Sequence, residues 1–89
     1  MAFYRIEWKQ SAEKELRQLP KDITARVIRA VEGLAGKPIP PNARKLSGAG
    51  KTYRLRVGDY RIVYCVHASS LIIEIVRVRH RRDVYRSYL

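Results

Sequence analysis

The residues with the clearest chemical potential are arginines, and most of them lie between residues 51 and 85. Arg54 and Arg56 are two positions apart, so in a β-strand both side chains lie on the same face of a sheet. Arg61 follows a tight-turn signal, and Arg79 and Arg81 follow an apolar run. A guanidinium group presents a planar fork of donors that matches phosphate. The pattern therefore indicates a small sheet with one surface that binds a polyanion.

Phosphodiester cleavage in RNA is a reaction that such a surface suits. Arginines in a partly dry cleft stabilise the charge on the phosphorane, and one well-placed donor contributes about 2.7–4 kcal/mol. Arginine does not serve as the general base, because its pKa lies above about 12. We interpret His80 as the candidate base, since imidazole titrates near neutral pH, while Lys51 or Tyr85 would need a strongly shifted pKa. Tyr85, four residues after Arg81, is also suited to stacking on a nucleobase.

Each candidate also has a structural interpretation that the sequence leaves open. Arg54 and Arg56 can form the solvated face of a half-exposed strand, and Arg61 can pair with Asp59 or Glu74. The remaining alternatives concern the end of the chain: an exposed His80 without a role, a Tyr85 ring that anchors the tail, and a merely basic tail at Arg81 and Arg82.

Composition narrows the class of protein without choosing a partner. The chain has 89 residues, a net charge of +11 and 46% hydrophobic residues, so we expect a single folded domain over residues 1–89. The basic excess attracts nucleic acid, an anionic membrane or an acidic protein. No apolar run approaches the roughly 18–20 residues of a membrane span, and no secretory leader opens the chain. We therefore expect a cytoplasmic protein without a membrane partner.

Cofactor and metal signatures are absent from the sequence. Cys65 is the single cysteine and is expected to be a reduced core thiol. Together with His67 and His80 it does not form a recognisable zinc spacing. There is no phosphate-binding glycine loop, dinucleotide fingerprint or nucleophile elbow. We expect no cofactor and no metal.

The preceding half of the chain supplies elements that support the arginines. Residues 3–8 alternate like a short strand, and Ser11 is positioned to cap a helix that Pro20 ends. The apolar spacing of the two helices predicts an α-hairpin whose stripes are Ala12, Leu16 and Leu19, then Ile23, Val27, Val31 and Leu34. Residues 36–50 are predicted to be a loop. It is either a surface connector or a basic flap that contacts substrate through Arg44 and Lys45.

Three strands follow the loop and complete the predicted sheet. The first two, at residues 51–57 and 60–67, flank Gly58 and Asp59, a two-residue hairpin signal. The third spans residues 71–79 and is apolar enough to be a central strand. The predicted core stripe consists of Tyr53, Leu55, Tyr60, Ile62 and Tyr64. The order is β-α-α-β-β-β with a short helical tail, an α+β arrangement with the sheet packed on the α-hairpin.

The order of these pieces resembles the RelE/ParE superfamily of small toxins from toxin–antitoxin pairs. The resemblance covers nearly the whole chain and includes Leu19-Pro20 and the run from Arg44 to Gly48. It continues through Tyr53-Arg54-Leu55-Arg56 and Asp59-Tyr60-Arg61, and closes with His80-Arg81-Arg82-Asp83-Val84-Tyr85. It implies a RelE-like fold with an antiparallel sheet on an α-hairpin.

In the RelE-like branch, the resemblance implies a ribosome-dependent mRNA endoribonuclease, or mRNA interferase, that cleaves message in the A site, inhibits translation and needs no metal. The implied catalytic residues are Arg61, Arg81 and Tyr85, with His80 as our candidate base. Counting back from Tyr85 favours Arg79 instead of Arg81, so this choice stays open. The resemblance implies that Arg54 and Arg56 bind RNA. To these we add, from their charge and position in the chain, Lys51, Arg79, Arg44 and Lys45.

The chain departs from the RelE-type pattern where that pattern has lysines, at Arg54 and Arg56. Because Arg does not accept a proton, the family's base assignment does not transfer to these positions. The implied partners are an acidic, RelB-like antitoxin, the ribosome and mRNA. The alternatives are a ParE-like toxin that inhibits DNA gyrase without cleaving RNA, and a degenerate family member that binds nucleic acid.

Overall fold

The computed structural model describes residues 3–46 and 50–83 and confirms the predicted α+β class. The elements in chain order are β1 (Arg5–Trp8), α1 (Gln10–Arg17), α2 (Lys21–Gly33), β2 (Ala43–Lys45), β3 (Thr52–Val57), β4 (Tyr60–His67) and β5 (Ile72–His80). Within the described residues, helices α1 and α2 pack on one side of a sheet of five strands.

The sheet has the strand order β1-β5-β4-β3-β2, and its pairing differs from the prediction in two respects. Strands β3, β4 and β5 pair antiparallel as expected, whereas β1 lies parallel to β5. Part of the predicted loop at residues 36–50 forms the edge strand β2. Asn42 extends that pairing, accepting from Arg56 N at 3.0 Å and donating to Arg56 O at 2.7 Å.

The core lies between the helices and one face of the sheet. The predicted helix stripes and Leu55, Ile62 and Tyr64 supply much of it, and these three are at most 1% exposed. Burying side chains of this size stabilises the fold by roughly 1.5–3 kcal/mol each. Tyr53 packs against the core, as predicted. Tyr60 was also predicted to be core, but it is half-buried at the end of the sheet, where its ring meets the His80 ring edge-on at 5.4 Å.

The start of α1 differs from the prediction. The helix begins at Gln10, and Lys9 precedes it without a side-chain cap. Ser11, the predicted cap, lies inside the helix and donates its hydroxyl to Val76 O at 3.4 Å. The chain enters α1 directly from β1, and Lys9 N donates to Ile75 O at 2.9 Å. Backbone hydrogen bonding to strand β5 therefore fixes the start of α1, and no side-chain cap is present there.

Two backbone features set the faces of the sheet. Gly58 and Asp59 form the predicted two-residue turn, and Gly58 adopts a φ of +59° that a residue with a Cβ adopts at a cost. In β5, Val63 pairs with Arg77 while the next residue, Tyr64, pairs with Ile75, so Val76 is an extra residue. This β-bulge shifts the alternation of the strand by one position.

Tyr64 is the largest fully buried side chain, and its hydroxyl donates to Pro38 O at 2.7 Å. Burial, with a smaller contribution from electrostatic repulsion by ionised Tyr53, raises the pKa of Tyr64 above its ordinary value. The folded protein keeps this proton at a pH where the unfolded chain loses it. Ionisation of Tyr64 therefore leaves the free energy of unfolding unchanged below about pH 10. Above that pH it lowers the free energy of unfolding by up to about 1.4 kcal/mol per pH unit.

We predict that Tyr64→Phe lowers the free energy of unfolding by about 0.5–1.5 kcal/mol at neutral pH, because it removes one hydrogen bond. The variant should also lose stability less steeply above about pH 10. Urea unfolding across the alkaline range measures both effects, with Tyr53→Phe as the matched ring control. Equal alkaline slopes for Tyr64→Phe and the parent chain would contradict the assignment.

Candidate nucleic-acid interface

The face of the sheet that points away from the helices carries an open groove of about 470 Å³, which we call the arginine groove. Strand pairing creates it: Arg44 lies directly opposite Arg54, and Arg56 lies directly opposite Arg61. Residues directly opposite each other on neighbouring strands share a face. The lining consists of Arg44, Arg54, Arg56 and Arg61 with Pro41 and Asn42.

The arginine groove brings like charges together without a carboxylate in its lining, as far as the described residues show. Like charges directly opposite on a sheet destabilise it. A concave surface of one sign also focuses the field and raises the local concentration of an oppositely charged ligand. The arrangement is suited to binding a chain of phosphates.

Arg61 connects the arginine groove to the end of the sheet. Its Nη1 donates to Gly58 O at 2.9 Å and to Tyr60 O at 3.0 Å. The sequence offered Asp59 or Glu74 as alternative partners, but the turn's backbone carbonyls hold the guanidinium instead. Both bonds use Nη1, so the Nε and Nη2 donors of the same guanidinium group are held in a fixed position beside the turn.

A second recess, which we call the sheet-end recess, lies just past that turn and is lined by Asp59, His80, Arg81 and Arg82. The backbone N–H of Arg81 donates to Asp59 O at 2.8 Å, which ties the end of β5 to the turn. The Arg81 side chain is 61% exposed, and its Nε lies 3.9 Å from Asp59 Oδ1. Arg81 is therefore held loosely and is accessible to an anion.

His80 lies next to Arg81 but not in the arginine groove. It pairs across the sheet with Tyr60, while the neighbouring pair, Arg61 and Arg79, projects from the other face. His80 Nδ1 accepts from Arg82 N at 3.4 Å, so Nε2 is its remaining ring nitrogen. The structure thus brings the candidate base to Arg81 at the sheet-end recess and separates it from Arg54 and Arg56.

Arg79 is engaged by a carboxylate that sequence reasoning did not assign to the site. Its Nε lies 2.6 Å from Glu15 Oε2, and Arg77 Nη1 lies 3.4 Å from the same oxygen. The partners are 62 to 64 residues apart in sequence, so local spacing gives no signal of the contact.

The remaining predicted residues lie elsewhere. Lys51 is exposed at the far end of β3 from Arg56, where its carbonyl accepts from Val66 N. Lys45 is exposed on β2 opposite Tyr53, so it alternates away from the arginine groove. Tyr85 lies outside the described residues.

Two further classes of site are absent from residues 3–46 and 50–83. No three ligating side chains of His, Cys, Asp or Glu lie close enough together there to hold a metal ion. No helix in the same ranges has the length and apolar character needed to cross a membrane.

Comparison with known proteins gives consistent matches across nearly the whole chain. The family model described as ParE toxin of the type II toxin–antitoxin system parDE matches residues 6–85. Toxin RelG of Mycobacterium tuberculosis is 33% identical, over 93% of this chain and 97% of that protein. Toxin RelE of the same organism is 29% identical, over 93% and 87%.

Solved structures show the same relationship. The RelE–RelB complex of Pyrococcus horikoshii contains a chain that matches with a TM-score of 0.80 and 32% identity, over 89% of this chain and 96% of that one. The intact RelBE toxin–antitoxin complex of Escherichia coli gives a TM-score of 0.74 and 26% identity, over 89% and 96%.

We predict that Arg56→Ala weakens binding to a fluorescent single-stranded oligouridine and flattens the dependence of log K on log salt by about 0.7, the value of one phosphate contact. The matched control is Arg29→Ala, which removes the same charge from the exposed side of α2. If both substitutions flatten the dependence equally, binding follows net charge and the arginine groove has no special part in it.

Proposed function

Since the chain belongs to the ParE toxin family of type II toxin–antitoxin systems, we propose that it is an endoribonuclease that cleaves mRNA in the ribosomal A site. The relatives named RelE and RelG support the RelE-like branch of the superfamily. The observation that carries the proposal is the placement of Arg61, which lines the arginine groove and is fastened to the turn beside the sheet-end recess.

This placement suggests a path for the RNA. Arg44, Arg54 and Arg56 hold the phosphate backbone along the arginine groove, and the strand then passes Arg61 toward Arg81. Arg81 is preferred over Arg79 as the second functional arginine, because Arg79 is ion-paired with Glu15 while Arg81 is largely exposed. The scissile phosphate would lie where the fork donors of Arg61 and Arg81 converge on it.

The proposed reaction is attack by the ribose 2′-oxygen on the adjacent phosphorus. His80 accepts the 2′-hydroxyl proton, and Arg61 and Arg81 stabilise the charge that develops on the phosphorane. The bond to the 5′-oxygen then breaks as that oxygen takes up the proton held by His80, which leaves a 2′,3′-cyclic phosphate on one fragment and a 5′-hydroxyl end on the other. Tyr85 is assigned to stacking and orienting a base. These steps use side-chain groups of the chain and invoke no metal.

The net charge of +11 supports the proposed partners. A strongly basic chain is attracted to an RNA-lined site on the ribosome. We propose that the toxin acts at such a site, in the cytoplasm. The same charge is complementary to an acidic antitoxin. RelE chains occur with RelB in the structures from P. horikoshii and E. coli. We propose that a RelB-like antitoxin of acidic composition covers the arginine groove.

A second candidate function follows from the family model, which is named for ParE. A ParE-like toxin that inhibits DNA gyrase would bind its target without the reaction described above. The arginine groove and the exposed Arg81 favour the nuclease, because inhibition by binding alone does not require charge stabilisation around one phosphate.

We predict that Arg61→Ala and Arg81→Ala each lower mRNA cleavage by about 10²–10³-fold, as expected for loss of one donor to the transition state. The chain is expressed under tight control and new 5′ ends are mapped on translated messages. New ends in phase with codons should appear with the parent and with Arg29→Ala, and be lost in both site variants.

Two outcomes would reject the nuclease proposal. DNA damage with intact messages indicates a gyrase inhibitor. Harmless expression of the folded parent chain indicates a degenerate family member that binds nucleic acid without acting on it.

We predict separately that His80→Gln lowers single-turnover cleavage on programmed ribosomes by about 10²–10⁴-fold and removes the acid limb of the pH–rate profile. Glutamine retains hydrogen bonding but does not titrate, so the profile separates a base from a merely structural residue. A variant with full cleavage and an unchanged profile rules out His80 as the base and leaves the arginine assignments intact.

A further inference from the structure

Glu15 makes three contacts with one strand. Its Oε1 accepts from the backbone N–H of Val78 at 2.9 Å. Its Oε2 lies 2.6 Å from Arg79 Nε and 3.4 Å from Arg77 Nη1. The Glu15 side chain is only 20% exposed, so water screens these contacts less than it would at the surface.

The position of Glu15 follows from the way α1 covers β5. Strand β1 pairs with β5 only as far as Trp8 and Ile75. Beyond that point α1 takes over the edge of β5, where Ser11 bonds to Val76 O and Glu15 to Val78 N. A sheet edge needs such cover, because its unpaired groups invite pairing with other chains. One carboxylate therefore both completes the edge and binds two guanidinium groups.

The consequence is that arginines on one face fall into two groups. Arg61 pairs across the sheet with both Arg56 and Arg79, so these three form one row. Arg56 and Arg61 line the arginine groove. Arg77 and Arg79 instead reach toward Glu15, where α1 covers the edge of β5. Strand register alone would extend the basic surface from Arg56 through Arg61 to Arg79. The carboxylate of Glu15 neutralises the Arg79 end of that row.

We infer that Glu15 is a specificity-determining residue, which keeps Arg77 and Arg79 from binding phosphate and so confines RNA to the arginine groove and the sheet-end recess. The inference rests on the proposed function in one respect, that the bound polyanion is RNA. Without the carboxylate, Arg77 and Arg79 lose the negative charge of Glu15, so the attraction of both guanidinium groups for RNA phosphates increases.

The test uses purified full-length protein and fluorescent oligouridine, with affinity measured over a range of salt concentrations. Glu15→Gln keeps an oxygen that accepts from Val78 N–H but removes the charge. The dependence of log K on log salt should steepen by about 1.4, which corresponds to two added contacts with single-stranded RNA. Adding Arg77→Gln and Arg79→Gln to this variant should reverse the change.

Glu13→Gln is the matched control, because it removes the same charge from the same helix. Glu13 instead forms an exposed pair with Arg17 on the same helix, at 3.5 Å. It should leave the salt dependence close to that of the parent. An equal steepening in both glutamine variants would show a general charge effect and overturn the inference.

A measurement on the unaltered chain guards against misfolding of Glu15→Gln. On titration with oligouridine, the Nε–H NMR signals of Arg56 and Arg61 should shift while those of Arg77 and Arg79 stay in place. Movement of the Arg79 signal, an unchanged salt dependence in folded Glu15→Gln, or no binding by the parent at low salt each overturns the inference. Because no ribosome is present, the outcome is independent of whether the chain cleaves mRNA.

Discussion

The registers in which β4 pairs with β3 and with β5 determine which side chains of these strands face the helices and which face the arginine groove. Side chains on a strand alternate with a period of two, so a slip of one residue exchanges the two faces completely. The tight turn at Gly58 and Asp59 holds the register between β3 and β4. That register places Leu55 and Ile62 in the core and aligns Arg56 with Arg61 on the other face. Core and candidate site are therefore consequences of one alignment.

The basic charge of the chain is distributed in a structured way. Within the described residues, the lining of the arginine groove contains guanidinium groups and no carboxylate. Carboxylates lie beside other arginines: Glu15 beside Arg79 at the edge of β5, and Asp59 beside Arg81 at the end of the sheet. A uniform basic surface would bind polyanions along its whole length. In the observed distribution, a concave region suited to an anion is separate from the arginines that pair with carboxylates of the fold.

Local patterns predicted the parts of the fold that local interactions determine. The helix stripes, the turn at Gly58 and the shared face of Arg54 and Arg56 follow from spacing alone, and the structure confirms them. What depends on distant pairing was wrong or missed. Strand β2 and the parallel position of β1 require partners far along the chain, as do the position of Ser11 against Val76 and the partial exposure of Tyr60.

The candidate site shows the same division. Grouping Arg44 with the sheet arginines needed the pairing of β2, and the separation of His80 from the arginine groove needed the register of β5. The extra residue Val76 changes which face of the sheet the end of β5 presents. Before it, Ile73 and Ile75 point inward, and a regular strand would continue that parity and turn both Arg77 and Arg79 into the apolar interior. This one-residue bulge therefore allows a strand that is buried along most of its length to end in arginines that avoid the apolar core.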